Sequence, residues 1–229
     1  ERYKKEKEDY DQKKQQRKEK QDKTGKKPRG RAPKPPVETP EEKDQCNFTD
    51  SESRIMKTSR GFDQCYNGQA AVNEDMLVVG AYCNAHINDK QEFIPAIESV
   101  PNELGEIENA VADTGYFSEK NISDCEQKGI RALISTARDK HNSFLDKLLN
   151  AHNEPPPAGT PIEKMQQKLR KHGDIYKKRK QTVEPVFGII KEILGFRRFS
   201  LRGEVQVDGE WSLVCSAYNL KRMFNLSLG

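Results

Sequence analysis

The sequence predicts an α/β domain that follows a charged helical arm and a proline-rich linker. Three observations carry this reading. Residues 1–45 are almost wholly polar, and apolar residues cluster only after about residue 46. From residue 65 onward, short apolar runs of strand length alternate with stretches of helical spacing. Strand, helix and strand in alternation imply a layered sheet with some parallel pairing.

The arm is residues 1–23, ERYKKEKEDYDQKKQQRKEKQDK. Its helix propensity is high and its alternating charges support pairs one turn apart. With no apolar stripe, it reads as a solvent-exposed arm or one half of a helical hairpin. Residues 24–45 contain five prolines and two glycines, the composition of an extended linker. Inside it, "KKPRGRAPKPP" resembles an AT-hook, with Arg29 and Arg31 as the arginines that would enter a narrow minor groove. Ala32 stands where that motif has proline, so a plain basic linker is the competing reading.

The domain from 46 to 229 is then read element by element. "CYNGQAAVN" (65–73) and "LVVGAYC" (77–83) flank the turn "EDM" and predict a hairpin. "DKQEFIPAIESVPNEL" (89–104) has helical spacing at Phe93, Ile97 and Val100, with Pro95 in its first turn or bending it. "NAVADTGYF" (109–117) is a short strand ending in a turn at Thr114-Gly115. In "SEKNISDCEQKG" (118–129), Ser118 is placed as a helix N-cap and Gly129 just past the helix end. "IRALIST" (130–136) is a strand, and 138–162 is polar and loop-like. Residues 162–195 are helical with an interruption near Gly173, and 210–226 form a last amphipathic helix. Residues 47–64 are polar and poor in strand signal.

Charge is unevenly distributed. Residues 46–163 carry 10 Lys/Arg against 19 Asp/Glu, whereas residues 164–202 carry 12 against 3. An acidic body beside a basic surface suits a polyanionic partner, although a solvated lysine-rich helix has the same composition. No run approaches the ~20 apolar residues of a membrane span. No signal peptide is visible, and a chain starting at Glu1 reads as a fragment or a processed form. The five cysteines form no CxxC pair, so reduced, mostly buried thiols are expected rather than zinc ligands or a disulfide framework. His86, His141, His152 and His172 are scattered singly and are read as ordinary residues.

Two carboxylates stand out. Asp113 ends the apolar run "NAVAD", and catalytic groups in open α/β sheets commonly lie at carboxyl ends of strands. Capping the following turn is the alternative role. Glu184 sits in "YKKRKQTVEPVFGIIKEILGFRRF" among many basic residues, beside an apolar stripe of Val183, Phe187, Ile190 and Leu194. Pro185 predicts that the helix starts or kinks there. A salt bridge to Arg179 or Lys180 is one use for that acid. The other is a bound cation: two converging carboxylates suit Mg²⁺, which takes few protein ligands and keeps water or phosphate oxygens. Nearby Arg179, Lys180, Lys191, Arg197 and Arg198 would then neutralise DNA phosphates.

The stretches "NFTDSESRIMKTSRGFDQCYNGQAAVNED", "VADTGYFSEKNI", "YKKRKQTVEPVFGIIKEILGFRRFSLRG" and "GEWSLVCSAYNLKRMF" together resemble the catalytic portion of bacterial insertion-sequence transposases of the DDE type. The resemblance runs from Asn47 to Leu226. It implies an RNase H-like fold, with a mixed sheet flanked by helices, and metal-dependent DNA cleavage and strand transfer. By it Asp113 is the second acid of the triad and Glu184 the third, with Mg²⁺ or Mn²⁺ as cofactor. DNA ends and target are the partners it implies, in a bacterial cytoplasm at the nucleoid, with no membrane; a homodimer in the active state is compatible with it. The family signature around the Glu has Tyr seven and Arg four positions ahead of it and Lys seven beyond. Lys191 fits, Lys180 replaces the Arg, and Tyr176 stands one residue early. The family's first acid lies in a stretch resembling "DGTKI", which this chain lacks, so the resemblance implies a domain without its first strand. Asp50 is the nearest substitute. Two further readings stay open: a DNA-binding protein without catalysis, and an RNase H-like nuclease that only hydrolyses.

Overall fold

A computed structural model describes residues 2–25, 32–39, 47–58, 61–136 and 159–228. The chain divides into two units, Glu1–Cys46 and Asn47–Gly229. In the first, α1 (Arg2–Thr24) is the expected polar helix, and residues 32–39 have no regular structure. Arg29, Arg31 and Cys46 lie outside the described residues, as does most of the polar stretch 138–162.

The second unit opens with a hairpin the sequence hides. Strands β1 (Arg54–Thr58) and β2 (Gly61–Cys65) pair antiparallel. Neither packs a full apolar face: Phe62 is 74% exposed, so the alternation that reveals a strand is faint. Asp50 anchors the turn before β1. Its Oδ1 accepts from Tyr66 Oη at 2.7 Å and from Ser53 N at 3.3 Å, and its Oδ2 accepts from Gly203 N at 3.4 Å. Burial opposes ionisation, but these hydrogen bonds outweigh it and hold the Asp50 carboxyl below its ordinary 3.8. A depressed folded value gives stability that is present above that ordinary value and is lost as pH falls through the folded one. Asp50→Ala is therefore expected to cost about 1–3 kcal/mol at pH 7 and less at a pH below 3.8. Urea melts at the two pH values check this.

Strands β3 (Asn67–Val72) and β4 (Val78–Asn84) form the predicted hairpin. Asn73 Oδ1 accepts from Leu77 N at 2.8 Å across the turn, and Met76 takes a left-handed φ of 61°. The predicted helix over 89–104 is shorter than expected. It reduces to α2 (Phe93–Glu98) between two 3₁₀ turns, with Pro95 in the first helical turn as one of the two sequence readings had it. Strand β5 (Asn109–Ala112) pairs parallel with β6 (Arg131–Ile134) through α3 (Glu119–Gln127). Ser118 caps α3 by accepting from Asn121 N at 3.1 Å, and Gly129 ends it with φ +72°, a conformation glycine adopts without strain.

Helices α4 (Pro161–Lys171) and α5 (Gly173–Gly188) meet at His172. Thr160 and Glu163 form a reciprocal capping box at the start of α4. Pro185 does not start α5, one of the two outcomes expected of it: it lies inside the helix, which widens into a π turn at Ile189–Ile193. The last helix, α6 (Glu204–Ser227), begins six residues before the predicted start. Its first amides are received by remote carboxylates: Glu52 Oε2 accepts from Glu204 N at 2.7 Å, and Asp50 from Gly203 N.

Side-chain alternation sorts these elements into three layers. Ala110, Ala112, Ala132 and Ile134 pack with Phe93 and Cys125 on the face of α2 and α3. Val111 and Leu133, of opposite parity, pack with Met165, Leu169 and Tyr176 on the face of α4 and α5. In the other hairpin, Ala70 and Val72 pack with Val186, Ile190 and Trp211 on the α5 and α6 side. On the opposite face, Gly80 lets α2 approach so closely that an added Cβ would lie 2.4 Å from Ser99 Oγ. The α/β class is as predicted. In place of one mixed sheet, however, the described residues hold three two-stranded sheets. No described strand lies between β3 and β5.

Candidate functional site

A cavity of about 880 Å³ occupies the space between β3 and β5, with α2 on one side and α5 on the other. Asp113 and Glu184, far apart in sequence, both line it. Arg179 and Lys191 line it as well; Lys180, Arg197 and Arg198 do not.

Asp113 follows β5 directly, at the carboxyl end of the strand. Its Oδ1 accepts from Gly115 N at 2.8 Å, so the carboxylate caps the 3₁₀ turn Thr114–Tyr116. A second carboxylate borders the same turn. A Cβ on Gly115 would lie 3.0 Å from Asp113 Oδ1 and 3.3 Å from Asp89 Oδ2. Asp89 was not singled out in the sequence, where it opens the stretch read as helical over 89–104. Its Oδ1 accepts from Asn67 Nδ2 at 2.8 Å and Gln69 Nε2 at 2.9 Å, and the Gln69 side chain receives the Tyr116 hydroxyl. Burial, and then the Asp89 and Asp113 charges, push the Tyr116 hydroxyl well up from its ordinary value, so it stays protonated and donates.

Beside this group lies Glu92, a carboxylate only 1% exposed. It accepts from Tyr82 Oη at 2.9 Å and from Asn84 Nδ2, and His86 Nδ1 lies 2.6 Å away. Burying a carboxylate without such partners costs several kcal/mol. No local pattern marks this network, since its members are spread over β4, the segment after it and the start of α2. His86, read there as ordinary, belongs to it.

Glu184 is half exposed, its side chain at 53%, and meets Arg179 at 3.3 Å, the ion pair expected as one of its two roles. Arg179 is 16% exposed, stacks 5.8 Å from the Tyr176 ring, and its Nε is buried without a hydrogen-bond partner. Tyr176 and Arg179 keep the spacing of the family signature but stand one residue further from Glu184. The helix thus presents Arg179, rather than Lys180, to the cavity. Lys191, seven residues beyond Glu184, lies 5.7 Å over the Phe187 ring. Arg197 pairs with Glu192. Asp50 does not line the cavity; it holds the turn described above.

Among the described residues, no cysteine lines the cavity. Burial pushes Cys125 up to about 11 and Cys83 and Cys215 up to about 12, so none is a thiolate at neutral pH. Among the described residues, no group of three or more His, Cys, Asp and Glu side chains is arranged to hold a metal. The donor chemistry nonetheless fits Mg²⁺, which is bound through one or two carboxylates and otherwise keeps water or phosphate oxygens.

Comparison with known families decides the relationship. A family model described as "Transposase DDE domain" matches residues 31–220. The chain belongs to that family. Its mixed α/β architecture, with six described helices and small sheets, is consistent with the RNase H-like fold of a DDE transposase domain. A transposase function in general, with DNA as partner, follows from membership. No curated protein and no solved structure matches the DDE domain described here. Among its described residues, no helix is long and apolar enough to cross a membrane.

Proposed function

We propose that the chain acts in DNA transposition by metal-dependent strand cleavage and strand transfer, with Asp113 and Glu184 as the acids that hold Mg²⁺ or Mn²⁺. The observation that carries this is that both carboxylates line one cavity with Arg179 and Lys191. When bound, the cation would supply a Lewis acid for phosphoryl oxygens and lower the pKa of a coordinated water or hydroxyl. Asp113 offers a carboxylate whose Oδ1 is oriented by the Gly115 amide. Glu184 offers one that Arg179 neutralises, so a cation and Arg179 compete for it. Arg179, released toward the cavity, and Lys191 are then available to DNA phosphates. Lys180, Arg197 and Arg198 extend the basic surface beyond the cavity, in the part of the chain with 12 Lys/Arg against 3 Asp/Glu. A homodimer in the active state, in a bacterial cytoplasm at the nucleoid, completes this reading.

The test uses a labelled duplex with Mg²⁺ or Mn²⁺ and compares the chain with Asp113→Ala and Glu184→Ala. Joined products that both variants lose support strand transfer. Nicks alone support a nuclease, and salt-sensitive binding without either product supports a protein that only binds DNA. Binding itself has an expected salt slope: log K falls by about 0.9 per neutralised phosphate for each tenfold rise in salt. Arg197→Ala combined with Arg198→Ala is expected to reduce that slope by about 2, read from fluorescence anisotropy at several salt concentrations. An unchanged slope removes these two residues from the interface.

A further inference from the structure

Asp113 stands on a turn that holds itself weakly. The backbone hydrogen bonds of the 3₁₀ turn Thr114–Tyr116 run from Tyr116 N to Asp113 O at 3.3 Å and from Phe117 N to Thr114 O at 3.2 Å. Both are at or beyond the long end of the usual range. A ligand carboxylate must keep its place to within about 0.5 Å, so such a turn needs support from outside.

Two buried amides supply it through one residue. Gln69, on β3, and Asn121, on α3, are each 4% exposed. Asn121 Nδ2 donates to the Tyr116 carbonyl at 2.7 Å, and Gln69 Oε1 accepts from the Tyr116 hydroxyl. Tyr116 is thus gripped at both ends, while its ring packs on Phe93 at a centroid distance of 6.0 Å. The same amides reach a second turn, Asp89–Gln91. Asn121 Nδ2 also donates to Lys90 O at 2.8 Å, and Gln69 Nε2 donates to Asp89 Oδ1 at 2.9 Å.

Charge fixes which way round the Gln69 amide sits. An ionised carboxylate only accepts, so Asp89 draws the amide nitrogen and leaves the oxygen to Tyr116. Asp89 is itself aimed, since its Oδ1 also accepts from Asn67 Nδ2 at 2.8 Å. The Gln69 nitrogen donates to Asn67 Oδ1 as well, at 3.0 Å, so both of its protons are engaged. The Gln69 backbone is anchored in the core, where its carbonyl accepts from Trp211 Nε1. A continuous path therefore runs from the core through Gln69 and Tyr116 to the turn that carries Asp113.

We propose that Gln69 is the positioning residue for the Asp113 carboxylate, acting through the Tyr116 hydroxyl and oriented by Asp89. Without that link the turn keeps its long backbone bonds and the Asn121 clamp alone, and the carboxylate spreads over several orientations. What the placed carboxylate does rests on the metal-dependent reading above. The device depends on matched donors and acceptors rather than on volume. A carboxylate in place of Gln69 would meet Asp89 with like charge, and an amide in place of Asp89 would then restore the match.

The test compares the full chain with Tyr116→Phe, Gln69→Glu, and Gln69→Glu combined with Asp89→Asn. Hydrogen exchange at Gly115 N and Tyr116 N, which bond to Asp113, reads placement without metal. Mn²⁺ affinity reads its consequence. Tyr116→Phe and Gln69→Glu are each expected to speed that exchange about tenfold and to weaken Mn²⁺ binding about tenfold or more. Adding Asp89→Asn to Gln69→Glu is expected to restore both, a rescue that packing alone does not give. Unchanged exchange in the first two variants would overturn the proposal, and so would a failure of the rescue. Equal speeding at buried Leu133 would mean general loosening and would overturn it too. So would Mn²⁺ binding that Asp113→Ala weakens and neither Tyr116→Phe nor Gln69→Glu alters. If Asp113→Ala leaves Mn²⁺ binding unchanged while exchange follows the expected order, the metal reading fails and the hold of Gln69 on the carboxylate stands.

Discussion

Trp211→Ala is expected to destabilise the second unit by about 3–5 kcal/mol, the range for truncating a large buried aromatic. Trp211 is 4% exposed and sits where α5, α6 and the β3–β4 hairpin converge. Its ring stacks on Phe187 at a centroid distance of 6.0 Å and meets Phe199 edge-on at 6.3 Å. Gly68 brings β3 so close that an added Cβ would lie 3.4 Å from the indole. The indole Nε1 donates to Gln69 O at 2.8 Å, so truncation also removes a buried donor. Phe187 belongs to the turn after Glu184 and lines the cavity, so the damage should reach the site. Trp211→Phe keeps most of the apolar volume and is expected to lose much less. Chemical denaturation of both variants checks the ranking, which a loss below about 1 kcal/mol for the alanine variant would contradict.

Asp113→Asn and Glu184→Gln are each expected to lower metal-dependent cleavage about a thousandfold or more, and the double variant should be little worse than either. Groups that act as one unit are non-additive in this way. Glu184→Gln has a second expected effect, because it frees Arg179 from its ion pair. DNA binding without metal should then strengthen modestly, while cleavage disappears. Asp113→Asn keeps an oxygen that can accept from Gly115 N, so the 3₁₀ turn should persist and a loss of activity would report the charge rather than the fold. Product yields on labelled DNA and thermal melts of the same preparations separate the two effects.

How much of this was legible in the sequence depends on where each signal resides. The β3–β4 hairpin, α3 with Ser118 and Gly129, and the parallel pair β5–β6 were all readable, because turn residues, caps and apolar runs are local. The β1–β2 hairpin escaped because its apolar side chains are exposed, which erases the alternation. The start of α6 escaped because its capping carboxylates, Asp50 and Glu52, come from the far side of the sequence. Of the two outcomes read at Pro185, a helix start is not seen, because the chain is already helical from Gly173. At the site, Asp113 and Glu184 announced themselves by context, one after a strand and one among basic residues. Asp89 and Glu92 did not, since only folding brings them against Gln69, Tyr116 and Tyr82.

The central claim is that Asp113 and Glu184 share a divalent cation. Mn²⁺ titration followed by electron paramagnetic resonance tests it most directly, with the chain compared against Asp113→Ala, Glu184→Ala and Asp50→Ala. The account predicts that the first two weaken Mn²⁺ binding at least tenfold and that Asp50→Ala, which alters a turn outside the cavity, leaves it unchanged. Equal affinity in all four proteins would contradict it.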